Sequence, residues 1–497
     1  MVRTRLLAAA LTVMAVTART APVIAADRWI EVRSTHFTIT SNASEGRTKG
    51  LAWQLEQVRS ALAVLWPWAK LDLNKPLAVF ALKDESSMRT IAPEYWERKG
   101  GVRPVSLWVG GADQNYLAIR SDLESRDQIY INPYTSSYFS YISLILQQSV
   151  ERPLPLWFSR GLAGVMSNTI VFDNKLLLGP PIPWHLEHLR DSPRLKLATL
   201  VAIDRNSPQY KSDQGLATFD AEAWALVHFL MFGENGARWP KLDQFAKMVA
   251  RGTPADAAFR EAFGAPEGLE DAFMLYINRS LFSYRQANID VAVKPEGFTV
   301  TPVTAPQAAA RQALFHAAMH RPIEARAAIE AARKGGETAE SAVAEALLLD
   351  VDGKTEEAKA AFARAVEQQT TNAHAHYRLA TLLWRDDMDH DTLVRVEKLL
   401  AGAIALNTRF AHAYALLAQA RAMLGVGEPV PLALRAISLE PAEPYYRLSA
   451  AHVLWREKKL DEASKHAQAA ASLADNDEER RQATDMIDRL TRAKAGG

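Results

Sequence analysis

The sequence predicts two unlike parts in one chain: an α+β region first, then an all-α solenoid of helical repeats. Three observations carry this. Short runs of strand-forming residues cluster within positions 29–133 and give way to helical periodicity. Beyond about residue 309 the composition turns alanine-rich and recurs near every 34 residues. Between the two, "QANIDVAVKPEGFTVTPVTAPQA" (286–308) holds three prolines and no helical period, which marks it as the linker. With 497 residues, 48% apolar and 23% charged, the chain exceeds what one core fills, so two or three domains are expected.

Residues 1–26 read as a secretory signal. Arg3 and Arg5 precede the apolar run Leu6 to Val16, and small residues follow at Ala25 and Ala26. The run is shorter than the roughly 20 residues that span a bilayer, so removal on export is preferred over a retained anchor. A periplasmic or secreted protein is expected, with no stable membrane insertion once the signal is gone. The absence of cysteine excludes disulfides, thiolate zinc sites and a thiol nucleophile. Basic and acidic residues number 58 and 57, and loss of the three leader arginines takes the formal charge from +1 to −2. Nothing in that balance favours nucleic acid or an anionic membrane.

In the first part, 27–285, "WIEVRSTHFTITS" alternates Ile30, Val32, Phe37 and Ile39, and Leu51, Leu55, Val58, Leu62 and Leu65 follow at helical spacing. "LAVFAL" (77–82), "VSLWVG" (105–110), "NYLAIR" (115–120) and "QIYINP" (128–133) complete a small predicted sheet. Helices are predicted at 137–149, 157–167, 218–232, 238–250 and 267–284, with a hairpin at 169–179. In the second part, 309–497, Ala325, Ala358, Leu393, Leu432 and Ala463 recur at intervals of 33, 35, 39 and 31. Tyr377-Arg378-Leu379, Tyr414-Ala415-Leu416 and Tyr446-Arg447-Leu448 recur beside them. The period resembles tetratricopeptide repeats, in which no helix pair buries its apolar face alone and stacking makes a solenoid. An unrelated alanine-rich bundle is the alternative.

"PLPLWFSRGLAG" (153–164), preceded by an apolar helix and followed by "FDAEAWALVHFLM" (219–231), resembles the peptidase MA-like, gluzincin-type family of unknown function that is often joined to tetratricopeptide repeats. The resemblance covers about residues 28–285. Intact members carry His-Glu-x-x-His on one helix and Leu-Pro-x-Trp-Leu-x-Glu-Gly-Leu-Ala-Glu on the next. Two His four apart share a helix face, a carboxylate from the next helix completes the zinc site, and the first Glu is the base. Here the turn where the histidines belong reads Ser140, Tyr141, Ile142, Ser143, Leu144, and Arg160 and Gly164 replace the glutamates. No histidine lies between His36 and His185, so no shift of register restores the motif. The resemblance therefore implies a degenerate zinc site, with no metal or other cofactor and no catalytic residue, and with Trp157, Arg160 and Tyr141 around a candidate binding cleft.

Other groups carry weaker signals. His185 and His188 flank Glu187 without the inverted zinc spacing. His316 and His320 stand four apart with no carboxylate between them, and His228 lies in an apolar helix as a hydrogen-bonded core histidine. Ser140, Ser143 and Ser159 lack a nucleophile elbow. "GPPIP" and "VGGAD" lack the Lys-Ser/Thr of a phosphate loop. The expected function is an exported non-catalytic scaffold whose repeats bind a protein or peptide, without nucleic acid. A hydrolase with an unconventional metal site is the alternative.

Overall fold

The computed structural model describes residues 28–97, 103–123, 131–172, 175–289, 293–385, 387–474 and 476–495. The expected signal at 1–26 lies outside them. Nine strands are described: β1 (Trp29–Arg33), β2 (Thr38–Ser41), β3 (Leu77–Leu82), β4 (Ser106–Gly110), β5 (Asn115–Arg120), β6 (Ile170–Phe172), β7 (Lys175–Leu178), β8 (Arg285–Asn288) and β9 (Thr299–Val303). The main sheet runs β4-β5-β3-β2-β1-β9, with β2-β3 and β3-β5 parallel and the remaining pairs antiparallel. A second sheet, β6-β7-β8, contains the predicted hairpin.

Both faces of the main sheet are covered, and the alternation of its strands decides by what. Val32, Ile39, Val79, Leu117 and Ile119 point into a core shared with Leu51, Leu55, Val58 and Leu62 of the helix Glu45–Leu65. Phe80, Leu82, Tyr116 and Ala118 point the other way, into a core shared with the first repeat helix, Ala305–Ala318. Phe315 of that helix meets Phe80 edge-on at 5.6 Å and Tyr116 at 5.9 Å, favourable aromatic geometry. The near-continuous apolar runs of β3 and β5 are what a strand buried on two sides requires.

Segment 286–308, expected to be an irregular linker, is corrected. It contains the last residues of β8, all of β9 and the start of the first repeat helix. β9 pairs antiparallel with β1, Trp29 opposite Val303 and Arg33 opposite Thr299. Pro302 is tolerated because β9 is an edge strand, where a missing N–H costs no ladder bond. The expected strand at 128–133 is not seen in its described part, 131–133, and the rest lies outside the described residues. The predicted helix at 267–284 is Pro266–Ile277, and the short helices Pro183–Asp191, Leu197–Ala202 and Ala255–Phe263 had no clear period to announce them.

From Ala305 the chain is helical: five antiparallel pairs followed by the single helix Asp477–Ala495. Their starts are written locally. Thr304 and Thr338 form capping boxes, and Asn372 and Asp389 cap the helices that follow them. The recurring positions Ala325, Ala358, Leu393, Leu432 and Ala463 are each the fourth residue of the second helix of a pair. The small or apolar side chains let the pairs nest. All but the half-buried Leu432 are buried. The final helix has a polar outer face and closes one end of the array, while the main sheet closes the other.

Candidate binding cleft

The surroundings of Trp157 and Arg160 are built by three helices, Thr135–Ser149, Leu156–Ser167 and Asp213–Phe232. Gly161 and Gly164 lie inside the second helix. A Cβ on Gly161 would collide with the Ala223 carbonyl, so glycine is what lets the second and third helices touch. Trp157 is 1% exposed and packs against Phe158, Phe245 and Phe259 at ring distances of 5.6, 5.2 and 5.7 Å. Tyr141 is 4% exposed beside Phe37, and burial raises the pKa of its hydroxyl. Neither presents a surface to a ligand, so the expected grouping of Trp157, Tyr141 and Arg160 around one cleft is corrected: the first two are core.

Of the three, Arg160 alone reaches a cleft, and its charge is already met. Its Nη2 donates to Asp220 Oδ2 at 2.6 Å, and Nε donates to Oδ1 of the same carboxylate. The guanidinium also lies over the rings of Phe139 at 5.1 Å and Tyr210 at 5.7 Å. Arg160 is thus a cation with its own counter-ion. Ser140 and Ser143 return their hydroxyls to the backbone carbonyls of Ser136 and Phe139, at 3.2 and 2.7 Å.

The cleft measures 860 Å³ and opens between the N-terminal part and the repeats. One wall carries Leu144, Ser159, Arg160 and Tyr210, and the loop at 73–76 borders it. The other is formed where successive repeat helices begin, at Asn372, Phe410 and Glu443. A run of rings follows that wall. His374 lies 6.4 Å from Phe410, Phe410 4.9 Å from Tyr377, and His412 5.7 Å from Tyr445. Burial, and then the nearby Lys75, lower the pKa of His374 to about 4, so its ring is neutral at physiological pH.

Polar contacts tie the two walls together. Asn372 donates to the buried carboxylate of Asp113 at 3.0 Å, and Asn407 donates to the Asn74 carbonyl at 3.0 Å. Asn74 in turn donates to the Leu439 carbonyl at 3.0 Å, and Lys70 to that of Ser438 at 2.8 Å. Consecutive inter-repeat turns thus grip two N-terminal loops, at 70–74 and at Asp113. Sequence reading missed Asp220 and this joint because all the partners are far apart in the chain.

The remaining histidines separate. His185 stacks on Trp224 at 5.7 Å, with its pKa lowered to about 4 by burial and then by His188, whereas His188 bonds Thr218 at 2.8 Å and Glu187 faces solvent. His228 sits between the Tyr276 hydroxyl at 2.7 Å and the Gly179 carbonyl at 2.8 Å, the core histidine its sequence context suggested. His316 is buried, and His320 ends its helical turn with a positive φ of 55°. Among the described residues no group of three or more His, Asp or Glu is placed to share a metal ion.

Fold and cleft together define a helical-repeat chain joined through a shared core to a sheet-containing N-terminal part. No family model and no curated protein matches it. Among solved structures it is similar to TTC0263, a tetratricopeptide-repeat protein of Thermus thermophilus, at 22% identity over 37% of this chain and 99% of that one, with a TM-score of 0.28. For pilF of Pseudomonas aeruginosa the values are 15%, 39%, 93% and 0.29. For yeast Tom70 they are 12%, 63%, 69% and 0.30. Scores this low add nothing to what the helix pairs show by themselves.

Proposed function

We propose that this chain is an exported, non-catalytic scaffold in which a degenerate gluzincin-like domain is joined to a tetratricopeptide-type array that binds a protein partner. The observation that carries the reading is the Arg160–Asp220 pair. The position at which the family it resembles holds a zinc ligand is filled by a self-neutralised cation while the packing around Trp157 is kept, so the frame serves structure. Closure of both ends of the array by the sheet and by Asp477–Ala495 disfavours end-to-end stacking and leaves the lateral faces for a partner. Export rests on residues 1–26 and is tested by N-terminal sequencing of protein from the cell envelope. An intact Met1 on cytosolic material overturns it. The scaffold role is tested by crosslinking the full chain in its own envelope. Recovery of one defined protein partner, bridged through residues 305–495, is the expected result, and the absence of any specific crosslink overturns the role.

A further inference from the structure

The 860 Å³ cleft holds both acids and cations, and their hydrogen-bonding groups are met unequally. Its acids accept hydrogen bonds, although neutral donors leave their charges in place. Asp113 accepts from the Tyr116 hydroxyl at 2.9 Å and from Asn372 at 3.0 Å. Glu440 accepts from the Tyr446 hydroxyl at 3.3 Å and from Asn74 at 3.4 Å. Glu443 accepts from the Tyr445 N–H at 3.4 Å, and Glu479 also has a partner.

Apart from Arg160, which Asp220 neutralises, the cations of the same cleft have no acid as partner among the described residues. Arg409 is half-buried, and its Nε has no hydrogen-bond partner among the described residues. The acid nearby, Asp72, is held by Arg59 at 2.6 Å. Among the described residues, the exposed Arg205 makes no hydrogen bond or ion pair from its side chain, and Lys75 reaches the Gly111 carbonyl, at 2.9 Å, rather than an acid. Cationic donors without a counter-ion are therefore what the cleft has to offer, beside Leu144 and Leu156 on one wall and Phe410 on the other. A partly buried guanidinium without a counter-ion is costly, and a carboxylate is the group that best relieves it.

We propose that this cleft binds an extended peptide segment in which carboxylate side chains alternate with apolar ones, the carboxylates meeting Lys75, Arg205 and Arg409 and the apolar groups resting on Phe410 and Leu144. The proposal rests on the scaffold reading and names the partner's chemistry. Nucleic acid fits less well. A continuous polyanion would pass the fixed charges of Glu443 and Glu479, and three cations are few for a phosphate backbone.

The test uses the full chain and fluorescent, end-blocked peptides of Glu-Leu-Ser repeats, with Gln-Leu-Ser and Lys-Leu-Ser counterparts and a single-stranded oligonucleotide of matched charge, read by anisotropy. The Glu peptide is expected to bind best, with affinity lost on adding salt. Arg205→Gln and Arg409→Gln are each expected to weaken it about tenfold, the scale of a hydrogen bond to a charged group. The melting temperature of Arg205→Gln should not move, and that exposed position decides the matter if an Arg409 variant folds poorly. Absence of Glu-peptide binding, equal binding of the three peptides, indifference to Arg205→Gln, or tighter oligonucleotide binding each overturns the proposal. A crosslinked envelope partner retained by the Arg205→Gln/Arg409→Gln variant sinks the cleft assignment and leaves the scaffold reading standing, whereas failure to recover any partner sinks the scaffold reading whatever the peptides do.

Discussion

Phe315, in the first repeat helix, packs edge-on against Phe80 in the centre of the N-terminal sheet, with ring centroids 5.6 Å apart across more than two hundred residues of sequence. The repeats are thus the second cover of the sheet as well as an array in their own right. Phe315→Ala is expected to destabilise the whole chain by about 3–5 kcal/mol, the usual cost of emptying a buried phenylalanine site. Chemical denaturation followed by circular dichroism and by tryptophan fluorescence measures it, and the two probes should shift together. A shift confined to one probe would mean that the two parts unfold independently. By the same logic a fragment of 309–497 should be helical but should bind a hydrophobic dye through the face that the sheet covers in the intact protein.

Arg160 and Asp220 are each about one-fifth exposed, so their pair is neither a free surface bridge nor a sealed one. Removing only the acid leaves a partly desolvated guanidinium. Asp220→Asn is expected to cost about 2 kcal/mol. The double change Arg160→Met/Asp220→Leu should recover most of that loss, because an apolar pair of similar volume replaces the ion pair without leaving a charge unpaired. Thermal melts of the three proteins check this, and a double variant no better than Asp220→Asn would show that Arg160 holds the fold through its contacts on Phe139 and Tyr210 instead.

What could be read from the sequence was what local chemistry encodes. Period two in β1 and β2, the apolar runs of β3 and β5, and the fourth residue of each second repeat helix were visible because each depends on neighbours a few positions away. β9 was not. "TVTPV" is short and carries a proline, and it becomes a strand only because Trp29–Arg33 offers an open edge nearly three hundred residues earlier. The candidate site failed for a related reason. Trp157 marks a recognisable frame in the sequence, but aromatic residues at helical spacing are as readily core as surface, and Phe245 and Phe259, which bury it, lie far downstream. The cleft that does exist is lined by Arg205, Phe410 and Arg409, whose meeting follows from how the array docks and from no motif.

Glu222 and His228, on one helix, give stability opposing dependences on pH. Burial raises the carboxyl of Glu222 to about 7, against the Leu195 N–H that favours its ionised form, and Oε2 has no partner among the described residues. Its folded pKa lies above the ordinary value of 4.5, so the stability linked to its protonated form is present below pH 4.5 and is lost as pH rises through 7. Burial lowers His228 from 6.5 to about 4, so its contribution is present above pH 6.5 and lost as pH falls through 4. Glu222→Gln is therefore expected to raise stability at pH 8, by up to about 3 kcal/mol, and to change little at pH 4.5. Urea denaturation at the two pH values checks it. An equal effect at both would show that Glu222 acts through packing rather than titration.

A catalytic zinc needs three protein ligands in open tetrahedral geometry. On the gluzincin resemblance proposed above, the two helices that would supply them carry Ser140, Leu144 and Arg160, the last paired with Asp220. Full-length protein purified without chelators should contain zinc far below one equivalent, and its thermal melt should be the same before and after chelation. A single reversion, Arg160→Glu, should not create a site. It places a carboxylate beside Asp220 with no histidine opposite, and is expected to lower the melting temperature by like-charge repulsion without raising zinc uptake. Near-stoichiometric zinc in the unmodified protein, or a melt that falls when metal is stripped, would overturn the non-catalytic reading. Attention would then move to His185 and His188, whose rings would have to leave Trp224 and Thr218 to reach a common ion.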